Sequence, residues 1–406
     1  MGNIQIYDIR INYLKNPCGL DSDVNISYKI KDFKNGDKQK SVNILVSKNN
    51  DFSDVIYNKK FNGDINVFYN VKAKFEPVTK YYVKVVVSTS FGDVCEGKTF
   101  FVTGKLNEKW KAKWITGRSH PNHNSPKIQE KIEFIRSDKD NLQAQYIRKK
   151  IFVKDEVKES YITICGVGYF DLRINNKTIT EDVLSTPFTR FDKTVLYLQY
   201  DISKYLKKGN NAVTVILGNG WYNCFAEDPW NTRQASWRSK PRMICEIKVN
   251  YESGEKETFR SDDTWLAYNL GGPIYFNGIR NGEHYDARKE MPGWRNVSYN
   301  EELWDNVEII RGPGGNIKAC EMQPIKVIKK FKAVDMWKTE DGGYVFDFGQ
   351  NQAGYCTFKF RGKENTEYTM VYSDIKKEDG DIDIGPIGGF IRSHGFQTDK
   401  IGRAHV

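Results

Sequence analysis

The sequence predicts an all-β chain built as tandem β-sandwiches, and three observations carry that prediction. From Ile4 to about Thr103, short β-branched and aromatic runs alternate with Asn/Gly/Asp turns. The stretch Tyr169 to Tyr222 reads as strand, tight turn, Pro-broken loop, strands, one helical turn and a closing strand. From Cys320 to Asp399 no long amphipathic helical pattern is written. A chain of 406 residues is too long for one ordinary core and suits about two or three domains.

Taken in order, Ile26 to Ile30, Val42 to Val46 and Tyr81 to Val87 are strands. The turns fall at Asn35-Gly36-Asp37, Asn62-Gly63-Asp64 and Gly92-Asp93. That spacing suggests an immunoglobulin or fibronectin type III sandwich over 1–105. Arg118 to Gln129 is polar, holds two prolines and reads as a surface loop; its His120 and His123 lack the companions a zinc site needs. A second sandwich, 106–318, takes Ile147 to Val153 and Tyr161 to Cys165 as strands. Gly166-Val167-Gly168 is half a dinucleotide fingerprint, but no helix pattern and no third glycine follow.

Within this sandwich Asp171 to Ile174 alternates, and Asn175-Asn176 suits the positive φ of a tight hairpin. Val195 to Tyr200 is β-branched and aromatic, and Ser203 to Leu206 is one helical turn capped behind Asp201. Lys207 to Asn210 reverses the chain into Ala212 to Leu217, an uncharged run that fits a strand buried on both faces. Met243 to Val249 and the turn at Glu252 to Glu255 make a further hairpin. The Pro313-Gly314-Gly315 break ends the domain. An incomplete third β-domain, 319–400, holds a strand at Tyr368 to Tyr372 and a turn at Asp379-Gly380-Asp381.

Several phrases resemble one family. They are the hairpin around Asn175-Asn176-Lys177, the stretch from Leu184 to Ser203, Lys207 to Tyr222 ending in Gly-Asn-Gly-Trp-Tyr, and Trp110, Ala112, Trp114 and Ile115. To these add Gly282 to Arg288 followed by Trp294 and Trp304, Gln323 to Val327, Val345 to Tyr355 and Gln397 to Asp399. Together they resemble the N-terminal β-domains of bacterial α-L-rhamnosidases, glycoside hydrolase family 78. Asn176 stands where that family more often has Gly, and Phe191 where it has Tyr. Asp347-Phe348-Gly349 belongs to this resemblance; the other elements of a kinase site do not precede it.

The resemblance implies a jelly-roll, carbohydrate-binding-like second sandwich. It also implies a full-length inverting glycosidase that removes terminal α-L-rhamnose from glycosides. Such chemistry needs an acid and a base carboxyl about 6.5–9.5 Å apart. In this family they sit on an (α/α)₆ barrel beyond the β-domains, so no residue here is a catalytic candidate and the polypeptide alone is expected to be inactive. Rhamnose-containing glycosides or oligosaccharides are the implied partners, with a homodimer of the full-length enzyme. The last residues, Ile401 to Val406, break the family pattern and match the translation of a common sequencing adapter; they are expected to be non-native.

Composition narrows the alternatives. The net charge of +10 is spread through turns and strand exteriors, which argues against nucleic acid, and no apolar window reaches the roughly 20 residues of a membrane span. Seven scattered cysteines without a CxxC pair point to a reduced, cytoplasmic setting, with Cys165 and Cys245 as small buried hydrophobes. A sugar site would combine an aromatic face with amides and acids. That composition recurs at Asn219, Trp221, Trp230 and Asn231, where Asp228 is the candidate ligand for calcium. The competing assignment makes Trp221 core and the rest an ordered loop. Glu283, Asp286 and Arg288 read as an ion-pair cluster at a domain junction. The alternative to the hydrolase reading is a stand-alone carbohydrate-binding or scaffold β-protein.

Overall fold

The computed structural model describes residues 4–31, 35–118, 142–363, 365–391 and 397–402. The loop holding His120 and His123 lies outside the described residues.

The first sandwich packs a three-stranded sheet, Gln5–Ile11, Val24–Lys31 and Tyr69–Val71, on a five-stranded one. The larger sheet runs Cys18–Leu20, Val94–Thr103, Lys80–Thr89, Gln39–Ser47, Val55–Asn62. Strict alternation explains its centre: Tyr81, Val83, Val85 and Val87 point into the core, where they meet Ile11, Ile26, Val42 and Ile44. Each such side chain contributes roughly 1.5–3 kcal/mol on burial. Gln39, the polar intruder, is satisfied: its amide donates to the Gly63 carbonyl at 3.0 Å and its oxygen accepts from Tyr28 Oη at 2.6 Å.

The second sandwich has a six-stranded sheet containing Tyr169–Ile174, Gly209–Gly218 and Gln145–Val153. Facing it is a seven-stranded sheet containing Arg242–Tyr251, Val157–Val167 and Thr194–Asp201. Ile147, Ile162, Ile164, Val213, Val215, Leu217, Ile247 and Trp265 fill the space between them. The uncharged run from Ala212 is buried on both faces as its composition requires, apart from a half-buried Ile216.

The tight turn is built as expected, with φ of 50° at Asn175 and 62° at Asn176. Its tertiary tie was not legible in sequence. Asn175 accepts from the Ala212 N–H at 2.9 Å and donates to the Tyr205 carbonyl at 3.0 Å, clamping one reversal onto the next.

Two details depart from the expectations. The turn at Ser203–Tyr205 is 3₁₀, and Ile202 occupies the cap position. Asp201 still serves it, accepting from the Ser203 N–H at 3.0 Å and hydroxyl at 2.6 Å. The Gly282 to Arg288 phrase opens on the second strand of a hairpin, Ile274–Gly278 and Gly282–Asp286, in a separate four-stranded sheet. Its neighbours there are Thr398–Gly402, parallel to Gly282–Asp286, and Glu367–Val371. Ile401 and Gly402 thus form strand structure, while 403–406 lie outside the described residues.

The third region adds the hairpin Asp335–Lys338 with Tyr344–Asp347. Among the described residues its one helix is the short turn Gly385–Gly388. No helix of the described residues is long and apolar enough to cross a membrane.

The first two sandwiches meet in a polar seam. Asp21 accepts from Tyr197 Oη at 2.8 Å and from the Leu106 N–H at 2.6 Å, and Tyr197 Oη accepts from the Lys105 N–H at 2.7 Å. The Lys105 ammonium pairs at 2.5 Å with Glu246, which also accepts from the N–H groups of Lys111 and Ala112.

Candidate functional site

The aromatic segment after Gly209–Gly218 folds over one end of the second sandwich. Trp221 leans into the cluster of Phe191, Tyr222 and Ile244, with Phe188 5.6 Å from its ring. Its remaining environment comes from an unexpected residue. Arg280, at the tip of the Ile274–Gly278/Gly282–Asp286 hairpin, places its guanidinium 4.9 Å from the Trp221 ring and 4.7 Å from the Trp230 ring. Each such contact contributes on the order of 0.5–2 kcal/mol. The Trp–Arg–Trp stack therefore ties the two halves of the site together. Sequence reasoning missed Arg280 and Phe188; the available signal for Arg280 was its place in an Asn/Gly-rich turn, which projects a side chain.

Asn219 is fully buried. Its amide donates to the carbonyls of Leu142 at 3.0 Å and Asn277 at 2.8 Å and its oxygen accepts from Asn223 at 2.7 Å, so it positions backbone. Asp228 is likewise enclosed: one oxygen accepts from the N–H groups of Trp230 and Thr232, both at 3.1 Å, the other from the Thr232 hydroxyl at 2.6 Å. Arg280 Nε lies 3.7 Å from it. Donor groups and a cation surround this carboxylate, which is the opposite of the oxygen-rich shell calcium requires. Among the described residues no group of three or more His, Cys, Asp or Glu could hold a metal ion. The Asp228 calcium expectation does not fit, because the carboxylate caps a turn.

Trp230 and Asn231 face solvent. Trp230 is 64% exposed, and Asn231 takes φ of 52°, starting the short turn Thr232–Gln234. Beside them Glu227 pairs with Arg233. Of the sequence candidates, the structure brings Trp221, Trp230 and Asp228 together through Arg280, leaves Trp230 and Asn231 accessible, and places Asn219 beneath as support. Such an arrangement can bind a ligand by its ring face and flanking polar groups.

A second acidic locus lies on the four-stranded sheet. Asp286 and Arg288 pair at 2.8 Å. Glu283 stands apart from them: its backbone N–H donates to Asp399 at 2.6 Å, and partial desolvation by the neighbouring chain, with the Asp399 charge beside it, pushes its carboxyl up to about 6 although the side chain still meets solvent. Asp399 also accepts from Tyr372 Oη at 2.7 Å. The expected three-residue ion-pair cluster is thus a pair, since residues three apart on a strand face opposite sides.

Comparison with known proteins follows the same series of domains. Residues 6–107 match the Rha78A-like N-terminal immunoglobulin domain, 155–329 the α-L-rhamnosidase N-terminal domain, and 337–401 the bacterial α-L-rhamnosidase concanavalin-like domain. An α-L-rhamnosidase of Formosa agariphila is 30% identical over 405 residues, spanning 94% of this chain and 42% of that protein. One of Alteromonas is 27% identical over 270 residues, covering 66% of this chain and 28% of that protein. The solved α-L-rhamnosidase of Dictyoglumus thermophilum superposes with a TM-score of 0.83 at 28% identity, covering 98% of this chain and 44% of that one. A Streptomyces avermitilis α-L-rhamnosidase, solved with L-rhamnose, shares the fold at a TM-score of 0.86 and 17% identity, over 98% of this chain and 53% of that one. The chain spans less than half the length of the Formosa and Alteromonas relatives.

Proposed function

The chain carries the N-terminal β-domains of the α-L-rhamnosidase family, and from that premise we propose that the whole protein hydrolyses terminal α-L-rhamnose from glycosides. One observation carries the reading: three rhamnosidase domain models match in succession, in the order in which the chain's sheets are built. In this role the chain is the non-catalytic platform, divided at about 105 and 319. The two carboxyls of an inverting hydrolysis belong to a region outside these residues. The assay is release of aryl from an aryl α-L-rhamnoside. A longer protein containing this chain is expected to turn over, and the 406-residue chain is not; turnover by the chain alone overturns the platform role.

The second sandwich's proposed part is sugar contact, with Trp230 and Asn231 meeting the ligand, Trp221 backing the stack and Asn219 and Asp228 holding the loop. Its support is the exposed indole fixed by Arg280. Calorimetric titration with L-rhamnose tests it: heat of binding is expected, and the component that belongs to this loop is lost in Trp230→Ala. A cytoplasmic setting is supported by the seven cysteines, all of them free. A homodimer is proposed for the whole enzyme, to be read by its sedimentation.

A further inference from the structure

We infer that the first sandwich carries its own binding site for a neutral pyranoside, in a cleft closed on one side by Glu321. The cleft holds about 360 Å³, within the roughly 300–1,000 Å³ of small-molecule sites. Tyr13 and Phe68 form its apolar wall, edge to face at 5.5 Å, and they remain 64% and 57% exposed.

Both rings are held where their residue types are disfavoured. Ile11 and Leu14 exchange both backbone hydrogen bonds at 2.9 Å around a two-residue turn, with φ of 49° at Asn12 and 66° at Tyr13. Such a turn favours Asn followed by Gly, so Tyr13 occupies a glycine position. Phe68 has φ of 61°, and its N–H donates to Ser27 Oγ at 3.1 Å. Bulky residues kept at positive φ cost on the order of 1–3 kcal/mol and gather where a side chain has a task. Here neither ring fills a core.

The polar side of the cleft is set in advance. Asn12 donates to Ser22 Oγ and to the Asp23 carbonyl, both at 2.9 Å. Glu321 accepts from the N–H groups of Asp21 at 2.8 Å and Ser22 at 2.9 Å, so the segment entering the third region fixes the rim. The lining contains the carboxylates of Asp23 and Glu321 and neither Lys nor Arg, which disfavours phosphates and other anions. An aromatic wall facing amide, hydroxyl and carboxylate groups suits a neutral polyhydroxyl ring. The inference stands on this cleft alone, independently of hydrolysis and of the Trp230 platform.

Calorimetric titration of the 406-residue chain with methyl α-L-rhamnoside, methyl β-D-glucoside and methyl β-D-galactoside tests it. At least one glycoside is expected to bind in the millimolar range. Tyr13→Gly and Phe68→Gly should each weaken that binding at least about tenfold while leaving Tm unchanged or raised, since glycine relieves the positive φ. Trp230→Ala should leave it intact. No heat with any of the three, binding by the Trp230→Ala chain that survives a further Tyr13→Gly, or binding lost only in Trp230→Ala overturns the inference. A measurement on the wild-type chain guards against misfolded variants: in tyrosine-labelled protein the Tyr13 ring resonance should shift on titration, and a stationary resonance overturns the assignment.

Discussion

Glu246 and Glu283 are two carboxyls moved in opposite directions by their surroundings, and each makes a prediction. Burial raises Glu246, but the Lys105 ammonium and the N–H groups of Lys111 and Ala112 outweigh it and leave the carboxyl below its usual value of 4.5. Its contribution is therefore present above pH 4.5 and lost as pH falls through the lower folded value. Lys105→Met removes the ammonium from this carboxylate, leaving it the Lys111 and Ala112 N–H groups and Arg260 at 3.9 Å, and is expected to lower unfolding free energy by about 1–3 kcal/mol in urea titrations near neutral pH. Glu283 has the reverse sign. Its folded pKa near 6 exceeds the unfolded 4.5, so stability falls as pH rises between those values. Because the Glu283 side chain is solvent-exposed the effect is small: Glu283→Gln should melt with the wild type below that window and at or slightly above it beyond pH 6, and a variant melting below the wild type at pH 7 would contradict this. Neither partner was readable beforehand, because Lys105 and Glu246 are 141 residues apart.

At the scale of elements, turns and strands were the legible part. Asn175 and Asn176 both take positive φ, yet they differ in what their side chains do. Asn175 is bonded to Ala212, Tyr205 and Asn211, so Asn175→Ala is expected to cost about 1–3 kcal/mol. Asn176→Gly should be close to neutral, because the relieved positive φ and the greater unfolded-state freedom of glycine oppose each other. Thermal melts of the two variants should separate by several degrees; coincident melts would show that the clamp contributes nothing. Gly315 makes a similar point just before the parallel strand Asn316–Ala319, which pairs with Thr194–Asp201. A Cβ there would meet the Phe191 carbonyl oxygen at 2.5 Å and the Thr194 nitrogen at 2.7 Å. The sequence marks this glycine only as a break, while the close approach comes from a strand more than a hundred residues earlier. The same limit hid the hairpin that ends in Gly282–Asp286: its local sequence does not say which sheet receives it.

Across the whole molecule the regions are unequally closed. The two sandwiches share the Asp21–Tyr197 and Lys105–Glu246 seam, whereas the third region leaves Ile328, Val334, Met336, Tyr344, Tyr355 and Phe390 exposed. Limited proteolysis is expected to cut first between 322 and 391 and to leave a resistant two-sandwich core; first cleavage inside 145–260 would refute that order. The sequence by itself determined the all-β class, the turn positions and the rhamnosidase resemblance, since alternation, Asn/Gly turns and short phrases are local properties of a chain. Only the tertiary structure decided that Arg280 lies between Trp221 and Trp230, that Asn219 and Asp228 serve backbone, and that Tyr13 and Phe68 share a cleft with Glu321. These outcomes depend on which distant groups compete for a buried donor, acceptor or ring face, and that competition is settled only once the sheets have packed.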